Sequence, residues 1–138
     1  MKILLNQRQI EQFMKYKQLL LEWNQKINLT AITEDREIIL KHFVDCISII
    51  SVMPFPKSAS VIDVGTGAGF PGIPLKIVCP EIQMTLLDSL QKRLIFLQEV
   101  IQQLALSKIS CVHSRAEDGG KQKEYRENYD YCVSRAVA

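Results

Sequence analysis

The sequence predicts an α/β protein: a helical N-terminal region over residues 1–59, then a parallel sheet alternating with helices over residues 60–138. Three observations predict it. Apolar residues recur at helical spacing through the first half, and a glycine-rich turn stands near the middle of the chain. Four short runs rich in Val, Ile, Tyr and Cys begin 20 to 27 residues apart in the second half. That interval leaves room for a crossover helix between parallel neighbours, and the runs are apolar enough to be covered on both faces.

Asn6 followed by Gln9 has the form of a capping box and starts the first helix. Phe13, Tyr16, Leu20, Trp23 and Ile27 then form one apolar stripe, with Lys15, Lys17, Glu22 and Lys26 among the polar remainder. On that stripe Trp23 is a core residue and not a platform for stacking bases. Thr33, with Glu34 and Asp35 behind it, caps a second helix that runs to about Val52. Pro54 and Pro56 stop it, so Met53–Ser60 reads as the linker. Ser60–Val64, Ile82–Leu87, Ile109–His113 and Tyr129–Ser134 are the predicted strands, with Phe70–Val78 and Gln91–Leu106 as crossover helices. The third connection, Ser114–Asn128, holds Gly119–Gly120 and a charge run, so any helix there is short.

Composition narrows the function classes. The 138 residues are 47% hydrophobic and 23% charged, which fits one globular domain with its own core. No apolar stretch is long enough for a membrane span, and the opening MKILLNQRQ is too short for a signal peptide. Cys46, Cys79, Cys111 and Cys132 are far apart and share no metal-ligand spacing with His42 or His113, which predicts buried free thiols, no metal and a cytoplasmic protein. A net charge of +2, all of it in residues 1–58, is too small to name a partner.

The strongest local signal is Asp63-Val-Gly65-Thr-Gly67-Ala-Gly69-Phe70-Pro71-Gly72, directly after a strand and opening a helix. Glycines there let a ligand approach the main chain, and the helix N-terminus adds positive potential. Asp88, nineteen residues after Gly69 and at the end of the second strand, can accept hydrogen bonds from ribose hydroxyls. The whole describes a site for an adenosine-containing cofactor. Gly67, Gly69 and Gly72 fit dinucleotide spacing, so an NAD-type oxidoreductase stays open. Asp63 favours a ligand with a cationic amino-acid part over a pyrophosphate, and S-adenosyl-L-methionine is such a ligand.

This loop, continuing through Ile73-Pro74-Leu75, resembles that of the bacterial small-subunit ribosomal RNA guanine-N7 methyltransferases, the glucose-inhibited division protein B family. So do Leu87-Asp88-Ser89, Lys92-Arg93, Trp23 through Thr30, His42-Phe43-Val44-Asp45, Arg115 through Asp118 and Ser134 through Ala138. The resemblance covers nearly the whole chain. It implies a class I, Rossmann-like methyltransferase fold with an N-terminal helical extension, the donor S-adenosyl-L-methionine and a 16S rRNA substrate. Carried over by position, the donor site takes Gly65, Phe70, Ala116, Glu117 and Arg135; Asp63 and Gly67 belong to the same loop, and Asp88 is the ribose-binding acid. His42 and Asp45 can share a helix face, where a structural or RNA-contacting role suits them better than acid–base work. No residue is assigned to catalysis.

The fold implied has seven strands and the sequence stops after the fourth. The expectations that follow are an incomplete sheet, weak or absent methyl transfer, and self-association through the edge of the fourth strand, where the intact enzyme is a monomer. A non-catalytic RNA-binding remnant is the reading from outside the enzyme classes.

Overall fold

The structure is a computed structural model and describes residues 5–27, 29, 43–52, 55–114 and 128–134. Helix α1 spans Gln7–Asn24, α2 Asp45–Val52, strand β1 Ser60–Val64, helix α3 Gly72–Val78, β2 Gln83–Asp88, α4 Gln91–Gln103, β3 Ile109–His113 and β4 Tyr131–Val133. The predicted Thr33 cap and most of the third connection lie outside the described residues.

Asn6 caps α1 as its sequence predicts. Its side chain accepts from the Gln9 N–H at 2.8 Å, and its own N–H donates to Gln9 Oε1 at 2.9 Å. Gln9 and Gln12 also donate to the carbonyls of Ile77 and Leu104, fastening α1 across the ends of α3 and α4. Phe13, Tyr16, Leu19 and Leu20 are buried, while Trp23 is half-buried against Phe96 with ring centroids 5.7 Å apart. Tryptophan thus closes the stripe from its margin.

All four strands are parallel, in the order β3-β2-β1-β4. Register puts Val61, Met84 and Ile109 in one row and Asp63, Leu86 and Cys111 in the next, on the same face. Val61, Met84, Leu86 and Val133 share one core with residues of α1, α3 and α4. The opposite face carries Ile62, Thr85 and Leu87, with exposed Ser110 and Cys132. The chain steps from β1 to β2 to β3 on one side and returns to β4 on the other. The ends of β1 and β4 therefore flank a topological switch point, where open parallel sheets bind ligands.

Several details differ from the sequence reading: β2 runs Gln83–Asp88 and not Ile82–Leu87, β4 is the shorter Tyr131–Val133, and α3 starts at Gly72 and not at Phe70. The α4 face buries Phe96 and Val100 beside Leu94 and Leu97, and the helix stops at Gln103 because Ala105 takes a φ of 52°. Cys46 is buried, but Cys79 and Cys111 are half-buried and Cys132 is exposed, since β4 lies at the sheet edge. Burial pushes the Cys111 thiol up to about 11.

Candidate functional site

Strand β1 delivers Asp63 to the switch point, and the next ten residues turn back over it. The N–H groups of Gly65 and Thr66 both donate to Leu87 O, at 2.9 and 3.0 Å, so the chain leaves β1 still bonded to β2. Gly65 and Gly67 take φ values of 68° and 59°, and no atom lies within 4 Å of where a Cβ would stand on either. These are open positions where the backbone itself forms the surface. The Gly69 and Phe70 N–H groups return to Thr66 O, and α3 begins at Gly72.

The two carboxylates of this site hold the loop from below and from the side. Asp63 is fully buried, and its Oδ2 accepts from Thr66 Oγ1 at 2.7 Å and from Gly72 N–H at 2.9 Å, joining the start of the loop to the start of α3. Its Oδ1 is buried with no hydrogen-bond partner among the described residues. Burial, helped by the negative charge of Asp88, pushes the Asp63 pKa up to about 7 against the pull of the two hydrogen bonds. Asp88 accepts from Gly67 N–H at 2.8 Å on Oδ2 and from Leu90 N–H at 3.0 Å on Oδ1. Arg93 stands 3.5 Å from the same Oδ1. The end of β3 closes the side of the site, with Ser114 N–H donating to Asp88 O and His113 Nε2 lying 2.9 Å from Ser89 O.

Of the residues singled out in the sequence, Asp63, Gly65, Gly67, Phe70 and Asp88 come together here. Ala116, Glu117, Arg135 and His42 lie outside the described residues, and Asp45 is exposed at the start of α2. Phe70 is 6% exposed and its ring faces Tyr16 and Phe43, so only its backbone borders the loop surface. Sequence reasoning missed two residues. Thr66 stands between two glycines and was given no role, yet its hydroxyl donates to Asp63. Tyr16 read as one more apolar residue of the stripe, yet its hydroxyl donates to Ala68 O at 2.5 Å. A phenol on a buried stripe needs a partner, and that was the available signal.

Residues 9–138 match the family model described as GidB, rRNA small subunit methyltransferase G. The chain belongs to that family. Relatives described as ribosomal RNA small subunit methyltransferase G include those of Clostridium perfringens strain SM101, 58% identical over 133 residues, and of Acetivibrio thermocellus, 60% identical over 134. The alignments cover 96% and 97% of this chain but 56% and 55% of those proteins, so the chain spans about half the length of the curated relatives it matches. Two solved structures share the fold at low identity. TehB from Haemophilus influenzae aligns with a TM-score of 0.54 and 23% identity over 83% of this chain and 33% of its own. A precorrin-6y C5,15-methyltransferase from Geobacter metallireducens aligns at 0.51 and 14% over 70% and 45%. The GidB-family chain thus has the class I methyltransferase fold that the resemblance implied. Among the described residues no helix is long and apolar enough to cross a membrane, and no group of three His, Cys, Asp or Glu is placed to hold a metal.

Proposed function

We propose that this chain holds S-adenosyl-L-methionine over the glycine loop and carries the donor site of an enzyme that methylates guanine N7 in 16S rRNA. The observation that carries this reading is the 2.8 Å bond from Gly67 N–H to Asp88 Oδ2, which joins the turn after β1 to the acid ending β2, in a chain of this family. The open faces of Gly65 and Gly67 suit close approach by a ligand. The unpartnered Asp63 Oδ1 suits an ammonium or an ordered water beneath the loop. Asp63 beneath the loop suits a cationic group better than a pyrophosphate, and with the family match this argues against the NAD reading. The holding residues would be Asp63, Gly65, Gly67, Phe70 through its backbone, and Asp88, joined through the resemblance by Ala116, Glu117 and Arg135. We assign the boundary between helical region and donor domain to residues 59 and 60.

S-adenosyl-L-methionine supplies an activated methyl group when bound. Guanine N7 offers a lone pair and carries no proton, so the chemistry asks the protein for alignment and exclusion of water and not for a general base. The partner is 16S rRNA or the small subunit, which places the enzyme in the cytoplasm. Equilibrium dialysis tests the donor half. Radiolabelled S-adenosyl-L-methionine should be retained by the chain, displaced by S-adenosylhomocysteine and untouched by NAD; displacement by NAD alone would overturn the reading in favour of an oxidoreductase.

A further inference from the structure

We propose that Tyr16, on the N-terminal helix, is a positioning residue for the methyl-donor loop, acting through its hydrogen bond to Ala68 O. The proposal rests on the donor-site reading above and adds a residue outside the β1–β2 turn. Ala68 lies between the two loop glycines 67 and 69, and its carbonyl accepts the Tyr16 hydroxyl from 52 residues earlier in the chain. The tyrosine is fully buried and held in one orientation by aromatic neighbours. Its ring stacks on Phe43 at 5.4 Å with an interplanar angle of 17°, and it meets Phe70 at 5.7 Å. Phe70 in turn is the residue whose backbone follows Gly69.

The approach is close enough to decide the sequence of the loop. Gly69 has a φ of 100°, and a Cβ there would stand 2.8 Å from the Tyr16 hydroxyl, 2.7 Å from Ile73 Cγ1 and 3.0 Å from Leu97 Cδ2. Helix α1 therefore forms the back wall of the loop. Asp63 and Asp88 hold Thr66, Gly67 and Gly72, and Tyr16 holds the segment between them. Without that tie to α1, the 68–70 segment keeps only bonds within its own turn, such as those from Gly69 and Phe70 N–H to Thr66 O and from Ile73 N–H to Gly69 O, and donor binding must bear more of the ordering of the loop.

The test is Tyr16→Phe, which keeps the ring stack and removes the hydroxyl, in the 138-residue chain. Ile77→Val is the control: it trims a buried residue at the far end of α3 and lowers stability by a similar amount. Calorimetry should show S-adenosylhomocysteine binding Tyr16→Phe about 3- to 10-fold more weakly, the range one hydrogen bond spans, with Ile77→Val binding like wild type. Amide exchange should show faster exchange at Gly69 and Phe70, relative to core amides of α4, in Tyr16→Phe only. Equal affinity and equal relative protection in wild type and Tyr16→Phe would overturn the role of Tyr16 and leave the donor site standing. A wild-type chain that binds no S-adenosylhomocysteine would overturn the donor-site reading itself, and the role of Tyr16 with it.

Discussion

The carboxylate of Asp63 has no exposed surface, while that of Asp88 is bonded to two backbone N–H groups and faces Arg93, and the difference sets what each substitution does. For Asp63 the folded pKa of about 7 lies above the unfolded value, near 4, so the folded chain binds more protons between those limits. Its contribution to stability is full below about pH 4, falls as pH rises through about 7, and is flat above. Asp63→Asn removes the titration, so the substituted chain should gain thermal stability relative to wild type on going from pH 5 to pH 8. A constant difference in melting temperature across that range contradicts the buried, protonated carboxyl. For Asp88 the expected effect is on ligand: Asp88→Ala removes the anchor of Gly67 and should weaken S-adenosylhomocysteine by about 1–3 kcal/mol in a titration. Both acids were legible in the sequence as belonging with the glycine loop, where the fold brings them together. Their division of labour was not, because both are buried and which turn groups each one holds depends on how the chain folds back at Thr66 and Gly72.

Within the loop the glycines are not equivalent, and substitutions should separate them. Gly67→Ala meets no atom and bears only the positive-φ penalty, about 1–2 kcal/mol, so it should fold yet put a methyl group on the surface the donor would cover. Gly69→Ala meets Tyr16, Ile73 and Leu97, so overpacking adds about 1–3 kcal/mol to a similar penalty. Urea melts of the two variants should therefore rank Gly69→Ala below Gly67→Ala; the reverse order contradicts the packing described. The helix and strand pattern was largely legible because period and capping are local properties. Asn6 with Gln9 gave the start of α1, and β1 and β3 keep the bounds their apolar runs suggested. The contribution of Phe96 and Val100 was not legible because a stripe at helical spacing, such as Leu94, Leu97, Ile101 and Leu104, is narrower than the face buried by a helix pressed between β3 and α1. Lys76, which the sequence did not single out, is likewise buried and donates to the carbonyls of Pro80 and Ile82 where α3 turns into β2.

At the scale of the molecule, the parallel order β3-β2-β1-β4 brings the ends of β1 and β2 under one loop and lays α1 behind it. The alternation of strands and helices foretold a parallel sheet, but the contact between α1 and the loop crosses 52 residues and left no mark in local spacing. If the helical region also meets rRNA, its cations set the salt dependence of binding. Replacing Lys15, Lys17 and Lys26 with glutamine should reduce the slope of log affinity against log salt by up to about 2, since each phosphate contact on single-stranded nucleic acid contributes about 0.7. An unchanged slope in filter binding would locate the RNA surface elsewhere. An amide spectrum of the isotope-labelled chain titrated with S-adenosylhomocysteine reads most directly where the donor sits. The N–H signals of Gly65, Gly67 and the residues flanking Asp88 should shift together and saturate at one affinity, with those at the far end of α3 unmoved. Saturable shifts confined to residues away from the glycine loop, or none at all, would contradict the account.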